Sequence, residues 1–239
     1  MRIKAVLFDL FDTLVIIEGG GAHYAPSLRK LHEFLRENGV NVPFEDFHRI
    51  YFQVRDKFYS ESRESLEEPH FNLRISQTLQ KLGYNFNAED PVIKGATQAF
   101  SEKFMEYISL DPDAPQVLEK LHGKYKLGLI SNLAIPECAW KLLEKFNLKN
   151  FFDTIIISGE INRRKPSAEI FQKALKNLGV KASEALFVGD MPGLDIAGPK
   201  KVGMKAILIQ RRPANNKMEI KPDKTIKRLT ELLPILKDC

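Results

Sequence analysis

Two hydrophobic patterns alternate along the chain and predict two kinds of structure. Runs that are apolar throughout occur just before Asp9 and over 125–131, 153–157, 185–189 and 205–209. Such runs are typical of strands buried on both faces of a parallel sheet. Amphipathic stretches predict helices over 114–122, 136–147, 167–178, 194–201 and about 226–237. This alternation of strand and helix predicts an α/β fold with a doubly wound parallel sheet.

The segment from Pro26 to about Ile108 shows helical periodicity and no convincing strand. Its stretch 44–58 has apolar residues at alternating spacings of three and four, which predicts one buried helical stripe of Phe44, Phe47, Tyr51, Val54 and Phe58. Further helices are predicted over 26–38, 70–82 and 90–108. Glu18 to Gly21 is expected to be a flexible connector. We therefore predict a sheet core over 1–15 and 111–239, with an inserted all-α domain over 16–110.

Composition narrows the class of protein without changing this picture. The 239 residues are 44% hydrophobic and 28% charged, which is ordinary for a globular protein. Neither an apolar run of about 20 residues nor a signal-peptide pattern occurs, so we expect a cytoplasmic location and no membrane partner. The net charge of +5 suits a small anionic substrate, and without a nucleic-acid module signature we expect no nucleic-acid partner. Cys138 and Cys239 are expected to be free thiols, and the choice between monomer and homodimer stays open.

Polar residues follow the predicted strands, where parallel sheets form their active sites. They are Asp9, Ser131, Asn132, Lys165, Asp190 and, five residues after the last of these, Asp195. Clustered aspartate oxygens suit Mg²⁺, and Lys165 would neutralise a carboxylate or a phosphoryl group. Ser131 and nearby backbone N–H groups are candidate hydrogen-bond donors to the same group. Together these residues predict a phosphoryl-transfer site with a carboxylate nucleophile.

Four motifs in order along the chain resemble those of the haloacid dehalogenase superfamily. They are Asp9-x-x-x-Thr13, Ser131-Asn132, Lys165-Pro166 and Gly189-Asp190-Met191-Pro192-Gly193-Leu194-Asp195. The resemblance runs from about residue 3 to 237, and four ordered motifs are far more specific than any one of them. The helical insertion is similar to the C1-type cap of subfamily I of that superfamily. The resemblance thus implies a helical cap domain over 16–110 on a Rossmann-like hydrolase core.

The resemblance also implies a role for each matching residue. Asp9 corresponds to the nucleophile that forms a covalent aspartyl intermediate, and Thr13 to a residue that supports the turn after it. Ser131 corresponds to the phosphate-binding hydroxyl and Lys165 to the lysine that steadies nucleophile and substrate.

The same resemblance implies a magnesium cofactor. Its implied ligands are Asp9, the backbone carbonyl of Phe11, Asp190, and Asp195 acting directly or indirectly.

Position 11 departs from the pattern of the superfamily's phosphatases. An aspartate that protonates the leaving oxygen is usual there, and this chain has Phe11. Asp12 follows one residue late, where its carboxylate is expected to face away from the leaving group. We interpret Asp12 as a turn cap or an ion-pair partner, with a catalytic role as the alternative.

Other residues are candidates for substrate contact. His23 and Tyr24, beside the glycine run, are placed to reach the site when the cap closes. Asn132 either contacts the substrate or caps the following turn. Three arginines, Arg55, Arg63 and Arg74, fit an anionic tail and fit a solvated helix face equally well.

Several functions compete for this set of residues. The favoured one is a Mg²⁺-dependent hydrolase of a small phosphorylated metabolite. An aromatic residue at position 11 is also found in enzymes resembling L-2-haloacid dehalogenases, but those tend to have a serine in place of Asp190. Phosphonate hydrolysis with a cap lysine, Lys30 or Lys57, and a non-catalytic scaffold are the remaining alternatives.

Overall fold

The computed structural model describes residues 2–211 and 220–237. Its strands are β1 Ala5–Phe8, β2 Val15–Ile17, β3 Ile108–Leu110, β4 Lys126–Ser131, β5 Thr154–Ile157, β6 Ala185–Gly189, β7 Lys205–Ile209 and β8 Lys224–Ile226. Six of them form one parallel sheet in the order β5-β4-β1-β6-β7-β8. The strand β1 lies in the middle, between β4 and β6. The predicted α/β fold with a parallel sheet is confirmed.

Helices cover both faces of the sheet and also form a separate layer. They are α1 Tyr24–Glu37, α2 Phe44–Ser65, α3 Phe71–Lys81, α4 Pro91–Met105, α5 Ala114–Leu121, α6 Pro136–Lys145, α7 Ser158–Ile161, α8 Ala168–Leu178, α9 Ala197–Lys201 and α10 Leu232–Lys237. Successive residues of β1 enter two different apolar clusters: Val6 and Phe8 lie in one, and Ala5 and Leu7 in the other. Because both faces of the strand are buried, the strand is apolar at every position.

The helices α1 to α4 form the separate layer, with α1 packed along α4 and α2 along α3. Within the predicted stripe of α2, Phe47, Tyr51, Val54 and Phe58 are buried, and Phe44 is half-buried. The stripe is confirmed as the packing face of this helix. The domain boundaries at 15/16 and 110/111 stay a prediction.

The helical segment predicted from Pro26 to about Ile108 ends slightly earlier, because a short strand, β3, begins at Ile108. The predicted helix over 90–108 ends at Met105, and β3 pairs antiparallel with β2. Each of these strands has only three residues, so neither has a period that a sequence pattern can reveal. The β2–β3 ribbon forms through pairing between distant parts of the chain. Both connections between the sheet and the helical layer run through it.

Three further segments have local structure that the sequence patterns did not predict. Glu18–Gly21 forms a short 3₁₀ segment in which Gly19 and Gly20 have positive φ, while the predicted flexibility of this connector stays a prediction. The predicted helix over 194–201 begins as a π-helical turn over Pro192–Ile196 before α9. The predicted helix over 226–237 is replaced at its start by the edge strand β8, because Ile226 pairs with Ile209.

Two remaining predictions concern thiols and membranes. Cys138 is a buried free thiol, while Cys239 lies outside the described residues. Across 2–211 and 220–237, every helix is too short or too polar to cross a membrane.

Candidate active site

Asp9 and Lys165 form a buried ion pair at the carboxyl end of the central strand. Asp9 follows β1, and its N–H donates to the carbonyl of Val188 on β6 at 2.9 Å, which fixes the backbone beside the neighbouring strand. Lys165 comes from the loop before α8. Its Nζ lies 2.6 Å from Asp9 Oδ1 and 2.8 Å from Asp195 Oδ1. Lys165 is 1% exposed, so the ammonium is held between two carboxylates with almost no access to water.

Asn132 holds the backbone of Lys165 in place. The Asn132 Nδ2 donates to the Lys165 carbonyl at 2.9 Å, and the Asn132 Oδ1 accepts from the Lys165 N–H at 2.8 Å. Because β4 places Asn132 at its end, this pair of bonds ties the lysine loop to the sheet. The predicted contact of Asn132 with substrate stays a prediction, whereas its positioning contact with Lys165 is direct.

The charges of this cluster shift the acid–base behaviour of both partners. Burial raises the pKa of Asp9 to about 6, with Lys165 opposing the rise and Asp195 adding to it. Burial alone would lower the pKa of Lys165, but the charges of Asp195 and Asp9 outweigh it and raise that pKa. The lysine is therefore held as a cation.

Two hydroxyl groups complete the surroundings of Asp9. Thr13 is fully buried, and its Oγ1 lies 3.4 Å from Asp9 Oδ2. Ser131, the last residue of β4, is also fully buried, and its Oγ has no hydrogen-bond partner among the described residues. A buried hydroxyl without a partner is costly unless a ligand satisfies it. Ser131 is therefore suited to bind an oxygen of a phosphoryl group.

Asp9, Asp190 and Asp195 form a candidate set of oxygen ligands for a metal ion. One carboxylate oxygen from each lies within 4.8 Å of the others. Asp190 follows β6, and the buried Asp195 is oriented by the Met191 N–H, which donates to its Oδ2 at 2.9 Å. Three carboxylates against the one ammonium of Lys165 leave two negative charges, which a divalent cation would balance. Hard oxygen ligands of this kind fit Mg²⁺, while the contribution of the Phe11 carbonyl stays a prediction.

Phe11 and Asp12 lie in the turn after Asp9, where the superfamily's phosphatases usually have the aspartate that protonates the leaving oxygen. The Phe11 ring lies 5.9 Å from that of Phe104 on α4, so it contacts the helical layer. Asp12 adopts a left-handed φ of 53°, and its Oδ1 accepts from the Ile17 N–H at 3.1 Å. This bond is the turn-capping contact expected for Asp12.

His23 and Tyr24 lie at the start of α1 and line a cavity of about 210 Å³ that also contacts Asn132. The Tyr24 hydroxyl is 2.6 Å from that of Tyr51, and the His23 ring is 5.0 Å from Phe104. Burial lowers the pKa of His23, with the charge of Asp12 opposing it. The two residues therefore border a cavity next to the strand end that carries Ser131, although substrate contact stays a prediction.

The family model for haloacid dehalogenase-like hydrolases matches residues 3–203, which is most of the chain. The protein is a haloacid dehalogenase-like hydrolase. This membership confirms the resemblance inferred from the four motifs.

Known members of the family similar to this hydrolase have two different activities in their names. A glyceraldehyde 3-phosphate phosphatase of Methanopyrus kandleri is 31% identical, over 99% of this chain and 98% of the relative. The crystal structure of a 2-haloacid dehalogenase from Pseudomonas syringae pv. Tomato DC3000 matches with a TM-score of 0.73 and 26% identity, covering 99% of both chains. A HAD phosphatase from Thermococcus onnurineus matches with a TM-score of 0.66 and 26% identity, covering 98% of both.

Sequence reasoning missed two arginines near the site of this haloacid dehalogenase-like hydrolase. Arg211 donates to the carbonyls of Asp12 and Thr13 at 3.1 and 3.0 Å and pairs with Asp111 at 2.5 Å. It thereby joins the turn after Asp9 to the chain after β3. Arg164, next to Lys165, has its Nε 3.4 Å from Oε2 of Glu68, which lies in the loop between α2 and α3. Neither contact leaves a signal in the sequence, because both partners are distant along the chain.

Gly189 permits the close approach of Asp195 in the hydrolase. A Cβ at position 189 would lie 2.5 Å from the Cβ and Cγ of Asp195, so Gly189→Ala must displace that carboxylate. We expect the concentration of Mg²⁺ that gives half-maximal activity to rise on the order of 10- to 100-fold. A Mg²⁺ titration of phosphatase activity measures it. Gly193→Ala is the matched control, because a Cβ there meets nothing within 4 Å, and an equal shift in both variants would contradict the argument.

Proposed function

We propose that this protein is a Mg²⁺-dependent phosphatase that hydrolyses a small phosphorylated metabolite. The observation that carries the proposal is the set of three carboxylates, Asp9, Asp190 and Asp195, whose oxygens lie within 4.8 Å of one another. The similarity over nearly the whole chain to a protein named glyceraldehyde 3-phosphate phosphatase supports it. The partnerless hydroxyl of Ser131 supports it as well, since a phosphoryl oxygen would satisfy that group.

The reaction begins at Asp9. One carboxylate oxygen attacks phosphorus, a bond forms between that oxygen and phosphorus, and the ester bond to the leaving group breaks. The Lys165 ammonium, 2.6 Å from Asp9, stabilises the negative charge of the phosphoryl oxygens, and the Ser131 hydroxyl donates a hydrogen bond to one of them. Water then attacks the phosphorus of the aspartyl-phosphate, which releases phosphate and restores Asp9.

Asp9, Asp190 and Asp195 would hold Mg²⁺, with the Phe11 carbonyl as a further proposed ligand. When bound, the ion supplies charge stabilisation and orientation of the phosphoryl group. Phe11 offers no proton to the leaving oxygen, and Asp12 is engaged with the Ile17 N–H. Leaving groups that need no proton are therefore expected to react best, because a positioned acid is typically worth about 10²- to 10⁴-fold.

The helical segment over 16–110 is proposed to act as a cap. We propose that it opens and closes about the links near 15–22 and 109–113, which overlap the strands of the β2–β3 ribbon. Closure over the sheet edge would exclude bulk water during transfer. A site enclosed in this way would accept only a small substrate.

A dehalogenase that displaces halide from a 2-haloacid is the second candidate. Phe11 at the position of the usual acid favours it, because halide leaves without a proton. The similarity to a solved 2-haloacid dehalogenase also favours it. The proposed phosphonate hydrolysis finds less support, since Lys30 and Lys57 are exposed and pair with Glu33 and Glu61.

Two assays separate these candidates. We expect hydrolysis of p-nitrophenyl phosphate to require Mg²⁺ and to stop in EDTA. Halide release from 2-chloropropionate is measured in parallel, with and without EDTA. Halide release that persists in EDTA, together with no phosphate release, would replace the phosphatase by the dehalogenase.

A further inference from the structure

Arg74 on α3 is a buried cation without a matching carboxylate. It is 6% exposed, which corrects the alternative of a solvated helix face for this residue. Its Nε is buried and has no hydrogen-bond partner, and no carboxylate in 2–211 or 220–237 lies within ion-pair distance of its guanidinium. A buried charge is costly unless it is paired, so an uncompensated one points to a partner that arrives from outside.

Aromatic groups surround this guanidinium. Its central carbon lies 5.0 Å from the ring centroid of Tyr59 and 5.1 Å from that of Phe71. The Tyr51 hydroxyl also interacts with it. Ring faces stabilise a cation and hold its plane, but they do not neutralise it. The side chain is thus oriented in advance and keeps its positive charge.

The nearest buried acid, Glu68, is engaged elsewhere. Its Oε2 lies 3.4 Å from Arg164 Nε and 3.4 Å from the Ser158 hydroxyl. Burial raises the pKa of Glu68, with the charges of Arg164 and Arg74 opposing it. Two guanidinium groups and one carboxylate leave one positive charge at this place.

Arg74 lines the cavity of about 210 Å³ described above, together with Arg164 and the loop that follows Ser131. The cavity therefore adjoins the strand end that carries the proposed phosphate-binding hydroxyl. A larger cavity of about 910 Å³ lies beside Asp12, but its arginines are paired, Arg211 with Asp111 and Arg228 with Asp113. Of these two cavities, the smaller one holds the unpaired cation.

We infer that this cavity binds an anionic oxygen group, a carboxylate or a second phosphate, on the leaving group of the substrate through Arg74. The inference rests on the proposed phosphatase activity and narrows its substrate class to phosphate esters with a second anionic group. The planar guanidinium presents donors in a fork that matches such oxygens. A substrate with an uncharged tail would leave the cation buried and unpaired, which is the physical origin of the selectivity.

The test compares phosphate esters with and without a second anionic group. 3-Phosphoglycerate has a carboxylate where glycerol 3-phosphate has a hydroxymethyl group, and propane-1,3-diol bisphosphate offers a second phosphate. We expect the wild type to hydrolyse at least one anionic ester with a kcat/KM on the order of 10- to 100-fold above that for glycerol 3-phosphate. The comparison between the carboxylate and the bisphosphate identifies which anion is preferred.

Arg74→Gln is expected to remove this preference, lowering kcat/KM for the preferred anionic ester by a similar factor and leaving that for glycerol 3-phosphate within about threefold. Arg74→Lys keeps the charge and loses the fork, so it should fall between the two. Arg49→Gln is the matched control, since Arg49 lies on the neighbouring helix α2, is exposed and pairs with Asp46. Thermal melting of each variant checks that it is folded.

If Arg74→Gln does not fold, the kcat/KM values of the wild-type enzyme for the three esters still test the inference. Equal kcat/KM values for all three esters, or an equal loss for all of them in Arg74→Gln, would overturn the inference while the phosphatase proposal stands. Absence of turnover for every ester and for p-nitrophenyl phosphate would instead overturn the phosphatase proposal. Calorimetric binding of 3-phosphoglycerate, propane-1,3-diol bisphosphate and glycerol 3-phosphate then tests the cavity independently: tighter binding of an anionic ester that Arg74→Gln abolishes supports it, and equal binding overturns it.

Discussion

Asp9→Asn is expected to lower the Mg²⁺-dependent hydrolysis of p-nitrophenyl phosphate by at least about 10⁴-fold. The amide has nearly the shape of the carboxylate, but it lacks the charged oxygen that attacks phosphorus. It also binds a cation poorly. Lys165 keeps its second partner, Asp195, at 2.8 Å, so the fold should survive. Initial rates at saturating Mg²⁺, together with circular dichroism spectra, measure both outcomes.

Asp12→Asn is the matched control for this substitution. It makes the same chemical change three residues further along the chain. Asparagine tolerates the left-handed φ of 53° at position 12, and its side-chain oxygen can accept the hydrogen bond from the Ile17 N–H. We expect its activity to stay within about threefold of the wild type, since Asp12 is placed as a turn cap. A loss in Asp12→Asn as large as that in Asp9→Asn would make Asp12 part of the chemistry.

Lys165→Met is expected to reduce both activity and stability. Without the ammonium, the buried carboxylates of Asp9 and Asp195 face each other with no compensating charge. Removing one partner from a buried ion pair typically costs about 3–5 kcal/mol of unfolding free energy. The loss of charge stabilisation should lower activity by about 10²- to 10³-fold. Urea unfolding in EDTA measures the stability, because no added cation then substitutes for the lysine.

Lys126→Met is the control for the loss of a lysine charge. Lys126 pairs with Asp153 at 3.0 Å, but its side chain is 57% exposed, so the change should cost less than about 1 kcal/mol. The double variant Asp9→Asn/Lys165→Met should recover part of the lost stability, because one of the two buried charges is gone. Equal stability of Lys165→Met and the wild type would show that the ammonium is not needed for folding.

Five strands of the main sheet and its functional edge were predictable, because these strands are short, mostly apolar runs followed by a polar residue, whereas the edge strand β8 was not. Asp9, Ser131 and Asp190 each stand at such an end, and the carboxyl ends of parallel strands meet at one edge of the sheet, which was enough to bring them together. Lys165 was harder to place from pattern alone, since it lies on a loop. Its position was inferred from the resemblance and from the need for a positive charge.

Features that depend on contacts between distant residues were not predictable. The strands β2 and β3 are stable only because they pair with each other, and neither has a period of its own. Arg74 has the same sequence surroundings as a solvated helix residue, yet Phe71 and Tyr59 cover it in the fold. The pairing of Asn132 with the backbone of Lys165 likewise joins two loops that only the sheet brings into contact.

The β2–β3 ribbon has a consequence for how such a chain can be rebuilt. Ile17 stands opposite Ile108, so the helical segment leaves and re-enters the core at adjacent points. Insertions are tolerated where the two ends of the inserted piece lie close together. We therefore expect residues 18–107 to be exchangeable as one module for another segment with neighbouring ends, while Asp9, Lys165 and Asp190 keep their places. Such a chimera would keep the chemistry of the sheet edge and acquire the selectivity of its new module.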